Sequence, residues 1–259
     1  MNKIIIQGIQ YDDKSSYQKG PGLAPPLIRE ALHCGAMNMF SENGNSIENA
    51  NIEDKGDFEI AEYFYIDNIT RKHLDLNAKI LTLGGDHSIT FPIIKAHHDK
   101  YPKLDILHID AHSDLYDAYE GDKYSHACPF ARIMENGYAI RLVQVGIRTL
   151  NTHQAQQAEK YKVEVHQMKD LDLSTIPKFE NPLYISLDMD GFDPAFAPGV
   201  SHHEPGGLSS RQVIDLIQGI DAEVIGADIV EYNPNRDFQN MTAFLAAKMM
   251  KEILSKMMV

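Results

Sequence analysis

The residues of this sequence best suited to chemistry begin with Asp110-Ala111-His112-Ser113-Asp114, which directly follows the apolar run LDILHI. In an extended chain, alternate side chains point to the same face, so Asp110, His112 and Asp114 can face one ion together. Carboxylate and imidazole groups are common ligands of divalent metals. The spacing therefore predicts part of a metal site at the end of a buried strand.

Two further groups of residues have the same character. Asp188 and Asp190 follow LYISL at the i, i+2 spacing, and His87 follows a Gly-Gly pair that permits a tight turn out of a strand. A lone Asp at a strand end is usually a turn residue or a helix cap. Three such groups at successive strand ends are hard to explain as turns, so we interpret them as one metal site.

The charge of these groups indicates how many ions they would hold. Four carboxylates that meet in one pocket repel one another unless cations neutralise them, and two divalent ions carry four positive charges. We therefore predict a two-metal site that activates water. An oxygen-rich set with two imidazoles and no thiolate favours Mn²⁺ over Zn²⁺, and cobalt, nickel and iron also fit. The predicted ligands are His87, Asp110, His112, Asp114, Asp188 and Asp190.

The elements that must position these groups follow from the hydrophobic pattern. Apolar β-rich runs alternate with segments of helical period, which is typical of an α/β protein with a parallel sheet covered by helices. In such sheets, ligands bind beyond the carboxyl ends of the strands. We expect Ser88 to cap a helix and residues 38–56 to form a surface excursion. Strands are predicted at 3–8, 79–83, 104–110, 141–146, 183–188 and 224–230, and helices at 25–34, 89–99, 127–136, 210–219 and 241–258.

Composition limits the remaining possibilities. With 259 residues, of which 43% are hydrophobic, the chain suits one domain, residues 1–259, with a packed core. A formal net charge of −13 disfavours nucleic acid and anionic membranes as partners. Two cysteines far apart indicate neither a disulfide scaffold nor structural zinc, and the start of the chain lacks a signal-peptide pattern. We therefore expect a cytoplasmic protein.

Three stretches, GGDHS, DAHSD and SLDMDGFDPAFAPG, closely resemble the signature motifs of the ureohydrolase family, which contains arginase and agmatinase. QGPGLAPPLIREAL, KYSHACPFARIMENGYAIRLVQVGIRT and GADIVEYNPNRD are also similar to the family, and most of all to its plant arginases. The resemblance runs nearly the full length of the chain. It implies a three-layer αβα sandwich with a mostly parallel eight-stranded sheet, two Mn²⁺ ions per chain, and a homotrimer or homohexamer.

The resemblance also implies roles for individual residues. His126 matches the histidine that the family uses for proton transfer, and Glu231 matches the glutamate that holds the substrate guanidinium. Asp114 would pass a proton from the attacking water to the leaving amine. The substrate would be a small cationic guanidino compound, cleaved to urea and an amine, with L-arginine slightly ahead of agmatine.

The sequence departs from many family members at residues 200–205, where VSHHEP replaces a Gly-Thr-Pro-Glu type of stretch. His202, which we include among the substrate-binding candidates, and His203 either line the pocket or face solvent. Arg148 is expected to make a buried ion pair, and His108 to pack in the core.

Several alternative functions remain open. The chain could act as a guanidinobutyrase, a guanidinopropionase or a formiminoglutamase. A deacetylase-like hydrolase with one zinc ion would use Asp188 and the Asp110–His112 pair. A catalytically silent binding protein on the same scaffold would be expected to have lost ligands, whereas all six ligand positions are present together with His126 and Glu231.

Overall fold

The computed structural model describes residues 3–49 and 51–259. Eight strands alternate with seven α-helices along the chain. The strands are β1 (Lys3–Gln10), β2 (Ile52–Glu59), β3 (Ala78–Leu83), β4 (Asp105–Ile109), β5 (Arg141–Ile147), β6 (Glu164–Gln167), β7 (Leu183–Asp188) and β8 (Val224–Val230). The helices are α1 (Ala24–His33), α2 (Tyr65–Leu74), α3 (Thr90–Lys100), α4 (Pro129–Glu135), α5 (Thr152–Tyr161), α6 (Ser210–Gly219) and α7 (Met241–Met257).

The strands form one sheet in the order β2-β1-β3-β8-β7-β4-β5-β6, and all seven pairings are parallel. Helices α1, α6 and α7 pack on one face around one hydrophobic cluster, and α2 to α5 pack on the other face around a second. Every residue of β3, β4, β7 and β8 is buried, as expected for strands covered on both sides. The predicted three-layer αβα sandwich with an eight-stranded sheet is confirmed.

All six predicted strands and five predicted helices are present, with ends within two residues of the predicted bounds. The sequence analysis missed β2, β6, α2 and α5. Both strands lie at the edges of the sheet and are only partly buried, so their sequences, IEDKGDFE and EVHQ, lack the apolar character of the inner strands. Helices α2 and α5 are mostly polar, with narrow apolar stripes.

Two local predictions are wrong. Residues 38–56 are not all a surface excursion, because β2 begins at Ile52; residue 50 of this stretch lies outside the described residues. Ser88 does not cap the following helix. Instead the Asp86 carboxylate accepts the backbone N–H of Ser88, and a 3-10 turn at His87–Ile89 leads into α3. An aspartate side chain accepts a backbone N–H at the start of a helix as well as a serine side chain does, and Asp86 stands two residues before Ser88.

The order of the inner strands brings the predicted site residues together. Strands β3, β8, β7 and β4 are neighbours, so their carboxyl ends lie side by side at one edge of the sheet. The chain leaves these ends at Gly84, Glu231, Asp188 and Asp110. In the described part of the chain, no helix is both long enough and apolar enough to cross a bilayer.

Helix α3 approaches the sheet closely at one glycine. The rings of His97 on α3 and Tyr184 on β7 lie 5.1 Å apart between centroids, and Gly226 of β8 sits beneath both. A Cβ atom at Gly226 would lie 2.6 Å from His97 Nε2 and 2.9 Å from the Tyr184 ring. Packing of this layer therefore requires glycine at this position.

We expect Gly226→Ala to lower the free energy of unfolding by about 1–3 kcal/mol, because the added methyl group overpacks two buried rings. Gly219→Ala is the matched control, since nothing lies within 4 Å of a Cβ built at that position in α6. Alanine in a helix should stabilise the control by up to about 1 kcal/mol. Urea titration followed by circular dichroism measures both, and equal stability of the two variants would contradict this account of the packing.

Candidate active site

The six predicted metal ligands lie together beyond the ends of β3, β4 and β7. His87 Nδ1 lies 3.1 Å from one carboxylate oxygen of each of Asp110, Asp114 and Asp188. This buried nitrogen makes no hydrogen bond within the described structure. Three carboxylates therefore surround one buried imidazole nitrogen, in a part of the site from which water is largely excluded.

A second group of donor atoms adjoins the first. His112 Nδ1 lies 3.1 Å from Asp190 Oδ2 and 3.5 Å from Asp110 Oδ1. Asp110 thus turns Oδ2 toward His87 and Oδ1 toward His112. A carboxylate placed in this way can bridge two adjacent ions.

The donor atoms of Asp110, His112 and Asp190 lie close enough to one another to hold a metal ion, and so do those of His87 and Asp110 with His108. Neighbouring ligands of an octahedral ion with bonds of about 2.1 Å are separated by about 3 Å, close to the imidazole–carboxylate distances given above.

The carboxylates of the site also lie close enough to repel one another as like charges. The pKa of Asp188 is raised well above its usual value, mainly by burial and also by the negative charges of Asp190 and Asp110. Burial raises the pKa of Asp190 to about 6, with His112 opposing and Asp110 reinforcing the shift.

Buried hydrogen bonds fix which nitrogen of His87 faces the three carboxylates. Its Nε2 lies 2.9 Å from Ser186 Oγ, whose hydroxyl donates to Asp228 Oδ1 at 2.7 Å. Tyr184 and Thr90 donate to the other oxygen of Asp228, at 2.9 and 2.8 Å. Because the serine proton points at the aspartate, Ser186 must accept from Nε2–H, so in the neutral ring Nδ1 is the nitrogen that can bind a metal.

His108 does more than pack in the core. It is buried, and its ring stacks on Phe130 with 3.9 Å between centroids, as the prediction requires. However, His108 Nε2 lies 2.7 Å from Asp110 Oδ2, and the Gln144 amide nitrogen lies 3.0 Å from His108 Nδ1 and 2.6 Å from the Ser113 carbonyl. The amide donates to Nδ1, so Nε2–H donates to Asp110 and holds this carboxylate in place.

His126 and Glu231 form a charged pair beside the ligands. His126 Nδ1 lies 2.9 Å from Glu231 Oε1, and His126 Nε2 lies 2.8 Å from Ser16 Oγ. Burial lowers the pKa of His126, but Glu231 and Asp86 outweigh it and raise the pKa to about 9. Burial raises the pKa of Glu231, but His126 more than reverses this and lowers it.

Two of the predicted catalytic residues adopt backbone conformations that residues other than glycine rarely take. Asp114 has φ 48° and Glu231 has φ 61°, both in the left-handed region. Strain of this kind persists where the surrounding structure imposes it, and it is common at functional sites. Here it is imposed at two strand ends that deliver side chains to the same cavity.

The structure separates the two adjacent histidines at residues 202 and 203. The ring centroid of His202 lies 5.3 Å from that of His126 and 5.9 Å from that of His112, and burial lowers its pKa. His203 is exposed and its Nε2 donates to the Pro198 carbonyl at 2.8 Å. His202 therefore lines the cavity and His203 does not.

A cavity of about 200 Å³ opens above the ligands. Four of the six predicted ligands line it, namely His112, Asp114, Asp188 and Asp190, together with His126, His202 and Glu231. Most of the rim was not predicted from the sequence. Thr149 lies two residues beyond the end of β5, which was a usable signal; the other positions carry none. The missed lining residues are Ser16, Tyr116, Tyr119, Thr149, Gln154 and Glu204.

The predicted ion pair of Arg148 is wrong. All five N–H groups of its guanidinium donate to backbone carbonyls instead, and none to a carboxylate. The acceptors lie between 2.7 and 3.2 Å away, and they are Gly146, Asp190, Gly191, Phe192 and Glu204. Arg148 thereby joins the loop that carries Asp190 to the loop that carries His202 and Glu204.

Asp86 is a further residue whose contribution the sequence analysis missed. Its buried carboxylate accepts the backbone N–H of Lys14 at 3.0 Å and the hydroxyl of Ser15 at 3.3 Å. These bonds hold the segment after β1 over the site, where Ser16 meets His126. The GGDHS motif thus supplies a loop anchor as well as the histidine.

Comparisons with known proteins show which family the chain resembles. A family model described as the arginase family matches residues 2–255. The chain is 43% identical over 274 residues to arginase 1, mitochondrial, of Arabidopsis thaliana, covering 97% of this chain and 80% of that protein. It is 41% identical over 181 residues to N(1)-aminopropylagmatine ureohydrolase of Thermus thermophilus, covering 66% and 61% of the two chains. The solved arginase structure from Medicago truncatula superposes with a TM-score of 0.93 at 41% identity, over 99% of this chain and 87% of that one.

These relatives correct one prediction and establish the family. The expected cytoplasmic location is wrong, because the similar arginases of A. thaliana and M. truncatula are named mitochondrial. A low cysteine count argues against an oxidising compartment, but it does not distinguish one reducing compartment from another. With a family match over residues 2–255 and a fold shared over nearly its whole length, the chain belongs to the arginase family.

Proposed function

We propose that this chain hydrolyses the guanidino group of a small alkylguanidine to urea and an amine, with L-arginine as the favoured substrate. The observation that carries the proposal is the placement of the Asp110, Asp114 and Asp188 carboxylates around His87 Nδ1, with His112 and Asp190 beside them. The names of the plant relatives favour L-arginine. The name of the Thermus relative makes agmatine-like compounds the second candidate class of substrate.

We further propose that the site holds two Mn²⁺ ions, bound by the six residues described above. Oxygen and imidazole ligands without thiolate support this choice of metal. When bound, the two ions would acidify a water molecule and supply positive charge where negative charge develops. The homotrimer or homohexamer implied by the family resemblance stays a prediction.

Glu231 is suited to hold the substrate guanidinium. Its Oε1 accepts the backbone N–H of His87 and the Nδ1–H of His126, both at 2.9 Å. Its Oε2 has no donor in the described structure, and the residue lines the cavity. A planar guanidinium that donates to this oxygen would lie beside the metal ligands, with its central carbon oriented for attack.

His126 and Asp114 are the residues suited to transfer protons in the proposed reaction. With its pKa raised to about 9, His126 is protonated near neutral pH, and its Nε2–H can donate to the leaving amine directly or through the Ser16 hydroxyl. Asp114 lines the same cavity and turns one oxygen toward His87. It can accept a proton from the attacking water and pass it toward the amine.

We expect the manganese-loaded protein to bind two ions per chain and to release urea from L-arginine and agmatine. Asp188→Asn should lose metal and activity together, because an amide lacks the charge that balances the ions. Metal analysis and a urea assay with L-arginine, agmatine, 4-guanidinobutyrate and 3-guanidinopropionate measure both. Asp170→Asn, at an exposed position at the end of the short 3-10 helix Met168–Asp170, is the matched control.

The outcomes of that assay separate the alternatives. One zinc ion per chain with no urea would favour a deacetylase-like hydrolase. Two ions per chain with no urea from any of the four guanidines would favour a silent binding protein. Urea from 4-guanidinobutyrate or 3-guanidinopropionate alone would leave the metal site intact and overturn the choice of L-arginine.

His126→Asn should keep both metal ions, since His126 contacts Glu231 and Ser16 rather than the ligands. Its kcat should fall by about 10²- to 10⁴-fold, the usual contribution of a general acid. Metal content and steady-state urea release test the two halves of this prediction. Normal turnover by the variant would remove His126 from the mechanism.

Glu231→Gln should lower the pKa of His126 from about 9, because burial continues to lower it while the main opposing charge is gone. A raised folded-state pKa stabilises the protein below the unfolded value of about 6.5, and this stabilisation is lost as pH rises through about 9. The variant should therefore lose stability that is present at low pH. NMR titration of the ring measures the shift, with His166 on β6 as an internal control that should not move.

A further inference from the structure

The cavity has an uneven distribution of charge. No lysine or arginine is among its lining residues in the described part of the chain. Three of its five lining carboxylates are the predicted ligands Asp114, Asp188 and Asp190, and a fourth is Glu231, which would meet the guanidinium. Only Glu204 then carries a negative charge that nothing in the proposed chemistry neutralises.

The Glu204 side chain has no partner of its own. It is half-buried, and within the described structure its carboxylate makes neither an ion pair nor a hydrogen bond. Its backbone, by contrast, is held at the Glu204 carbonyl and at the two glycines that follow Pro205. Arg148 Nε donates to the Glu204 carbonyl at 2.7 Å, and the Asp193 carboxylate accepts the N–H groups of Gly206 and Gly207 at 2.7 and 3.1 Å.

Arg148 is the nearest candidate to neutralise Glu204, and it is already saturated. Its five N–H groups all donate to backbone carbonyls, and Arg148 does not line the cavity. It is also tightly enclosed, since a Cβ at Gly207 would lie 2.7 Å from its Nη2. The guanidinium therefore cannot turn toward Glu204 or toward a carboxylate that enters the cavity.

We propose that Glu204 determines specificity by binding a primary ammonium group at the end of the substrate remote from the guanidinium. This inference rests on the proposed function and names its substrate class. Agmatine carries such an ammonium group, and in L-arginine an ammonium group stands beside the carboxylate and offsets its charge. An ω-guanidino carboxylate would bring a second negative charge to a cavity wall that offers it no cationic side chain. The site thus selects guanidino amines and rejects 4-guanidinobutyrate and its homologues.

Three guanidines of equal chain length test the proposal by urea release from the manganese-loaded protein. Agmatine, n-butylguanidine and 4-guanidinobutyrate place a positive, a neutral and a negative group at the far end. In the native protein, kcat/KM should fall by about 10-fold or more at each step, the value of a charge-assisted hydrogen bond. Equal kcat/KM values for agmatine and 4-guanidinobutyrate would overturn the proposal.

Glu204→Gln keeps the shape of the side chain and removes its charge. The ratio of kcat/KM for agmatine to that for n-butylguanidine should fall by about 10-fold or more in this variant. Glu180→Gln, which removes an exposed charge from the loop before β7, should keep the native ratio. A native ratio in Glu204→Gln would assign Glu204 to the solvated rim and overturn the proposal.

A binding measurement separates this inference from the proposed function, because it needs no turnover. By calorimetry, the manganese-loaded native protein should bind 1,4-diaminobutane about 10-fold or more tightly than n-butylamine, and Glu204→Gln should lose the difference. Equal affinities in the native protein would overturn the inference. If no guanidine yields urea while the preference for the diamine depends on Glu204, the inference stands and the proposed function fails.

Discussion

The mutual repulsion of four carboxylates in one buried pocket is the constraint on which this structure depends. Each ionised carboxylate that leaves water costs several kcal/mol, and only cations held at a few ångströms can offset that cost. The sheet supplies the required rigidity. The parallel pairing of Ile109 with Leu187 brings the ends of β4 and β7 level, so Asp110 and Asp188 emerge side by side. The pairing of Asp188 with Val230 places Glu231 one residue beyond them.

Polar residues in the middle of the sheet complete this arrangement. Gln144 on β5, Ser186 on β7 and Asp228 on β8 are fully buried among apolar neighbours, where unpaired polar groups would be costly. They lie behind the ligands and hold them by hydrogen bonds, Ser186 on His87 and Gln144 through His108 on Asp110. Their burial is therefore a condition of the site, because a ligand that rotated by one rotamer would present the wrong atom to the ion.

The floor of the site could be predicted from the sequence because its pattern is local. Asp110, His112 and Asp114 are two residues apart directly after a buried strand, so their spacing pointed to one site. The chain in fact bends at residues 111 and 112, and Asp114 has φ 48°, yet all three side chains reach the site. The rim could not be predicted in this way. Ser16 and Glu204 line one cavity although they are far apart in the chain, and only the tertiary fold brings them together. The edge strands β2 and β6 were missed for a related reason, since exposure removes the apolar signal on which strand prediction relies.

Arg148 links the floor of the site to its rim, and it does so without restricting which side chain stands at residue 204. Its guanidinium donates to the Asp190 carbonyl on the floor and to the Glu204 carbonyl on the rim, so both loops share one anchor. Because every one of these bonds is made to the backbone, none depends on the side chain at residue 204. A substitution there can alter the charge that the substrate meets without moving Asp190. In this chain the residues of the floor and the charge of the rim can therefore change independently of one another.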